Sequence, residues 1–85
     1  GGNMPYEDRV DKLVKKVRKS IKNVRFDDLK KILEAIGYDC IKRNTGSHHT
    51  FRKEGYLPVV IPKANPVNPA YVRIVLEVYD NHTSL

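Results

Sequence analysis

An α+β fold, with two helices over one face of a three-stranded antiparallel sheet and an extra amphipathic helix in front, follows from three observations. Apolar residues recur every three or four positions in 26–36 and in 69–79. Between those stretches, short alternating or β-branched runs are broken by Gly46, Gly55, Pro58 and Pro62. The first 25 residues carry a further helical stripe on a strongly basic background. Strands this close together pair as antiparallel hairpins, and helices placed before and after them cover one face of the sheet. The other face stays open.

Size limits the chemistry. Eighty-five residues make a single domain, and a chain of that length buries only about 60–65% of its unfolded surface. Any reaction has to take place on an open face. The chain is 40% apolar and 31% charged, as in a soluble globular protein, and no stretch approaches the roughly 18 apolar residues of a membrane span. Gly1-Gly2-Asn3 reads as a cloning scar ahead of a native Met4, with no apolar signal region, so cytoplasmic residence is the expectation. The lone Cys40 has no disulfide partner. One cysteine and three histidines show no paired ligand spacing, so neither a metal nor a cofactor is expected.

The net charge of +6 favours a polyanionic partner. Eight of the sixteen basic residues lie within residues 1–25 against three acids, so most of the excess charge sits there. Val10, Leu13, Val14, Val17, Ile21 and Val24 form one stripe of a predicted helix over 7–24. Asp8, Asp11 and Lys22 complement its dipole. Lys12, Lys15, Lys16 and Lys19 are candidate phosphate contacts, weighed against a plain solvated face. The stripe is narrow and aliphatic and lacks a Trp or Phe anchor, which disfavours a membrane surface.

A second helix is expected from Phe26 or Asp27 to Ile36, with Asp27 and Asp28 accepting first-turn N–H bonds and Gly37 as the stop. Tyr38–Arg43 alternates as a half-exposed strand and Asn44-Thr45-Gly46 turns the chain. His48–Lys53 is the second strand and Glu54-Gly55 the second turn. Leu57–Ile61 is a third strand whose flanking prolines place it at a sheet edge. After the stiff Lys63–Val67 loop, Asn68-Pro69 supplies an N-cap and a first-turn proline for a last helix, with Tyr71, Val72, Val75, Leu76 and Tyr79 inward and residues 80–85 frayed. The Asn81-His82-Thr83 sequon carries no weight in a cytosolic chain. There is no internal repeat and no low-complexity segment.

The chemistry concentrates in Gly46-Ser47-His48-His49-Thr50-Phe51. Imidazole has an ordinary pKa of about 6.5, so near neutrality it can take a proton or give one. RNA carries its own nucleophile, the 2′-hydroxyl, and its cleavage needs a base, an acid and positive charge near the phosphate. Gly46 permits close backbone approach, Ser47 can donate to a phosphate oxygen, and Lys42, Arg43, Arg52 and Lys53 can supply charge.

The Phe26–Tyr38 helix with its closing glycine, the Gly-Ser-His-His turn, the Pro-bounded strand and the final helix together resemble the HicA toxin family, small ribonucleases of toxin–antitoxin pairs. The resemblance covers residues 26–79. It divides the chain into residues 1–3, a basic helical extension at 4–25 and a HicA-like domain at 26–85. It implies the topology of a double-stranded RNA-binding domain, an mRNA-cleaving endoribonuclease that needs no metal, and a HicB-like antitoxin that neutralises it. Resemblance favours His49 as the essential residue. Strand parity points instead to His48, because His49 shares the inward face of Phe51. His49 is taken as the principal catalytic candidate and His48 as the secondary one. The alternative is a non-catalytic RNA-binding module of the same fold, and a third class is a protein-interaction domain whose charge is only solubilising.

Overall fold

The computed structural model describes residues 6–41 and 47–84. The order is α1 (Tyr6–Lys19), a 3₁₀ turn (Ile21–Asn23), α2 (Phe26–Ala35), β1 (Asp39–Ile41), β2 (His48–Arg52), β3 (Val59–Pro62) and α3 (Pro69–Thr83). The strands form one antiparallel sheet in the order β1-β2-β3. The α+β class and the α-β-β-β-α order behind a leading helix are as expected.

Alternation along the strands separates the two faces. Cys40, Phe51, Val59 and Ile61 turn toward the helices, and Phe51 and Ile61 are fully buried. Asp39, His48 and Arg52 are exposed on the opposite face, together with Ile41 and Val60. Leu29, Ile32 and Leu33 of α2 and Val72 and Val75 of α3 complete the core without exposure. Val10, Val14, Val17 and Val24 join the same cluster, so the leading helix seals the core instead of standing apart from it. Two polar contacts reinforce that docking: the Tyr79 hydroxyl donates to Asp11 Oδ1 at 2.6 Å, and Arg18 pairs with Asp80.

Several boundaries differ from expectation. The first helix stops at Lys19, because Ser20 leaves the helical region (φ −145°, ψ 69°) and the next bonds are of the 3₁₀ type, Ser20 N–H to Val17 C=O and Asn23 N–H to Ser20 C=O. Ser and Asn form such local bonds at the expense of helix propagation. Val24 still reaches the core, in an extended segment whose carbonyl accepts from Val67 N–H at 2.8 Å. Asp27 and Asp28 do not supply the cap of α2. Asn65 Oδ1, from the loop after β3, accepts from Phe26 N–H at 3.0 Å, so a remote side chain satisfies a first-turn donor.

The third strand begins at Val59 instead of Leu57, because Pro58 has no N–H to give a ladder and Leu57 is left 87% exposed. Lys63 N–H donates to Ser47 C=O at 2.6 Å, and ladder alternation therefore turns the backbone groups of Val60 and Pro62 away from β2. Proline thus removes a donor from the free edge, a defence against edge pairing. The last helix does not fray at 80. It runs through Thr83, with Asn68 Oδ1 capping Ala70 N–H at 2.9 Å and Thr83 Oγ1 donating to Tyr79 C=O at 2.8 Å.

Candidate active site

β2 carries both strand histidines, and its pleat sends them to opposite faces. His48 pairs across from Pro62 and is exposed on the open face. His49 pairs across from Ile61, faces inward and is half-buried at the margin of the core. Their side chains do not converge, so they do not form an acid–base couple on one phosphate.

Two neighbours hold His49. Its ring centroid lies 4.9 Å from that of Phe26, tilted by 54°, and Phe26 in turn lies 6.1 Å from Phe51, so the imidazole extends an aromatic row rooted in the core. His49 Nδ1 is 3.0 Å from the Ser47 carbonyl oxygen. A carbonyl can only accept, so Nδ1 carries the proton and neutral His49 keeps its lone pair on Nε2. The same carbonyl accepts from Lys63 N–H, which ties the His49 tautomer to the start of the loop after β3. The Lys63 ammonium then sits 5.9 Å from the centroid of the Phe26 ring, the ring that also packs on His49. An imidazole oriented through Nδ1–H, one ammonium on the shared aromatic neighbour and an exposed Ser47 make a site suited to proton transfer beside an anion.

The remaining candidates fall elsewhere. Arg52 is on the open face, about 10 Å along the strand from His49. Lys53 is committed to the far end of α2: Nζ donates to Ile36 C=O at 2.7 Å, where it complements the helix C-terminus, and stands 4.8 Å from the Tyr56 ring centroid. Lys42, Arg43 and Gly46 lie outside the described residues. Lys12, Lys15, Lys16 and Lys19 are all exposed on α1. Among the described residues no three His, Cys, Asp or Glu side chains gather where they could hold a metal ion, and no helix is long and apolar enough to cross a membrane.

Nothing local in the sequence marks Phe26, Lys63 and Asn65 as site residues. A signal does exist for Lys63: counting back across the second hairpin sets it opposite Ser47.

A second cleft, about 700 Å³, lies between the turn before β3 and α3, lined in part by Tyr38, Tyr56, Leu57, Ile74 and His82. There His82 Nδ1–H donates to Val78 C=O at 2.9 Å and the ring stacks 4.3 Å from Tyr56, leaving Nε2 buried without a partner. The ammonium beside this pair, Lys53 Nζ 4.8 Å from the Tyr56 ring centroid, is already bonded to the Ile36 carbonyl, whereas no such bond holds Lys63 Nζ among the hydrogen bonds of the described residues.

The model of the HicA toxin of bacterial toxin–antitoxin systems matches residues 26–78, more than half of the chain. The chain belongs to the HicA toxin family. No curated protein and no solved structure matches it. The HicA match begins at Phe26, the residue against which His49 packs, and closes one residue before Tyr79, which bonds to α1. It therefore takes in the sheet, α2 and most of α3, and α1 lies outside it. Family membership makes the chain a toxin of a two-protein system, with an antitoxin as its partner in kind.

Proposed function

We propose that this HicA-family toxin is an endoribonuclease that cleaves mRNA with His49 as its acid–base residue and is neutralised by a HicB-like antitoxin. The observation that carries the proposal is the Nδ1–H bond of His49 to the Ser47 carbonyl, which leaves Nε2 as the basic nitrogen on a ring already oriented by Phe26. His49 Nε2 takes the proton of a ribose 2′-hydroxyl. The 2′-oxygen attacks the adjacent phosphorus, and the P–O5′ bond breaks. The leaving 5′-oxygen receives a proton from an imidazolium or from water, and a 2′,3′-cyclic phosphate remains. Lys63 offsets the charge that develops on the phosphoryl oxygens, and Ser47 donates to one of them. The scheme is metal-independent.

His48 and Arg52, on the open face, serve RNA contact in this scheme and not the proton steps. Lys42, Arg43 and Gly46, which precede β2 in the sequence, are proposed to approach the phosphate chain. Lys53 has a weaker claim, since it is already held at the end of α2. Among the described residues no long loop stands over the site, which favours control by a partner. A HicB-like antitoxin would cover His49 and be acidic where it meets the basic residues around it. The separation of His48 from His49 favours one alternative, a non-catalytic RNA-binding module.

The deciding experiment incubates the purified chain with single-stranded RNA in chelator and looks for 2′,3′-cyclic phosphate ends. Cleavage that disappears in His49→Ala supports the proposal. Binding without cleavage in the wild type selects the module.

A further inference from the structure

We propose that the lysine face of α1 is a second RNA-binding surface, a track for the phosphate backbone outside the segment shared with the family. The inference deepens the ribonuclease reading and rests on it for the choice of ligand. Lys12, Lys15, Lys16, Lys19 and Ser20 line one shallow cleft of about 380 Å³. From Lys12 to Lys19 the helix rises about 10 Å, so the ammonium groups form a row instead of a point. Arg18, on a different face, is occupied by Asp80.

Two observations distinguish this row from an ordinary solvated helix. The apolar side of α1 is locked into the core through Val10, Val14 and Val17, and Tyr79–Asp11 and Arg18–Asp80 pin it further, so the row is held rigidly relative to the sheet. The row also continues past its last lysine. A second small cleft shares Lys16 and Ser20 with the first and reaches Asn23, Val24 and Asp28. Asp28 is the one carboxylate among the residues lining the two clefts, and it limits the track at that end. The row is aliphatic-stemmed and cationic with no aromatic side chain lining it, a surface that reads phosphate and not base identity. It would therefore raise affinity for long RNA of any sequence.

The test uses the full chain in a His49→Ala background, so that RNA survives the measurement, with a 20-nucleotide single-stranded RNA titrated at several salt concentrations. Changing Lys12, Lys15, Lys16 and Lys19 together to Gln should flatten the log–log salt dependence by about 0.7 for each phosphate that the row no longer neutralises, and so by about 1.4 or more if it pairs with two or more phosphates. The matching four-Arg variant should keep the slope. In the cleavage-competent chain, the Gln variant should lower kcat/KM for the 20-mer relative to that for a trinucleotide. An unchanged slope in a Gln variant with wild-type circular dichroism and melting temperature overturns the proposal. So does a flattened slope in the four-Arg variant, and so does retained RNA affinity combined with weakened antitoxin affinity, which would make the row a protein-binding surface. A flattened slope in a chain that never cleaves RNA would sustain the track and remove the nuclease reading alone.

Discussion

The imidazole of His49 rests 4.9 Å from the ring of Phe26, the first residue of α2, so the orientation of a residue on the sheet is set by where a helix begins. Asn65 fixes that beginning by accepting from Phe26 N–H, and the Lys63 N–H fixes the Ser47 carbonyl that holds His49 Nδ1. Two residues therefore touch the ring, and two more, from a third segment, hold those two in place.

The first prediction concerns the histidines. His49→Ala should lower RNA cleavage by about 10²–10⁴-fold with little change in stability, since the ring is only half-buried. His48→Ala, on the open face, should cost less than about tenfold. Initial rates on a defined RNA and thermal melts of both variants provide the check. Equal losses would contradict the division of faces.

Positioning by Phe26 can be separated from packing. Phe26→Leu keeps most of the apolar volume and should cost less than about 1.5 kcal/mol of stability, yet it removes the aromatic face under His49. The expected result is a fall in kcat of about ten- to a hundredfold with KM nearly constant. A stability loss with kcat unchanged would reduce Phe26 to a core residue.

Lys63 is expected to act through charge. Lys63→Gln should reduce kcat/KM by about tenfold, and Lys63→Arg should recover most of it, because the positive charge stands by the proposed phosphate position. The loss should shrink at high salt, as screening weakens the wild-type advantage. Rates at low salt and at about 1 M salt would show it.

The Tyr79–Asp11 bond gives a stability prediction with a definite sign. The bond to the Asp11 carboxylate, burial and the nearby negative charge push the Tyr79 hydroxyl up to about 12 from 10. A group whose folded pKa is raised contributes fully below its unfolded pKa. This contribution is thus intact at neutral pH and lost as pH rises from about 10 to about 12. Tyr79→Phe should cost about 1–2 kcal/mol at pH 7, and its deficit relative to wild type should disappear above that window. Urea melts at pH 7 and at alkaline pH give the comparison.

Glycine chemistry at the end of α2 is testable as well. Gly37 has φ +99°, and an added Cβ would stand 3.1 Å from Lys53 Cε, while Gly55 has φ +86° with open space around it. Each Ala substitution carries backbone strain of about 1–2 kcal/mol. Gly37→Ala should be the worse of the two, because it also displaces the Lys53 arm from the Ile36 carbonyl. Melting temperatures of the pair test the order.

The α+β class, the three helices and three strands, the Asn68-Pro69 start of α3 and the edge position of the Pro-flanked strand were legible in the sequence, because spacing, glycine and proline act over a few residues. So was the inward parity of His49, since a strand's period is two whatever it packs against. What the tertiary structure alone decided involves partners far apart in the chain. The valine stripe could show that α1 has an apolar side, but not that this side closes the same core as Phe51. The acids at 27 and 28 offered a reasonable cap, and Asn65, 39 residues from Phe26, supplied it instead. Lys53 looked like a phosphate ligand by charge and became a helix-end donor by proximity. The tautomer of His49 depends on a carbonyl whose position β3 and Lys63 determine. Local propensity writes the elements into the sequence, but hydrogen-bond partners and ring contacts depend on which surfaces meet in the folded chain, and no period in the sequence encodes that distance.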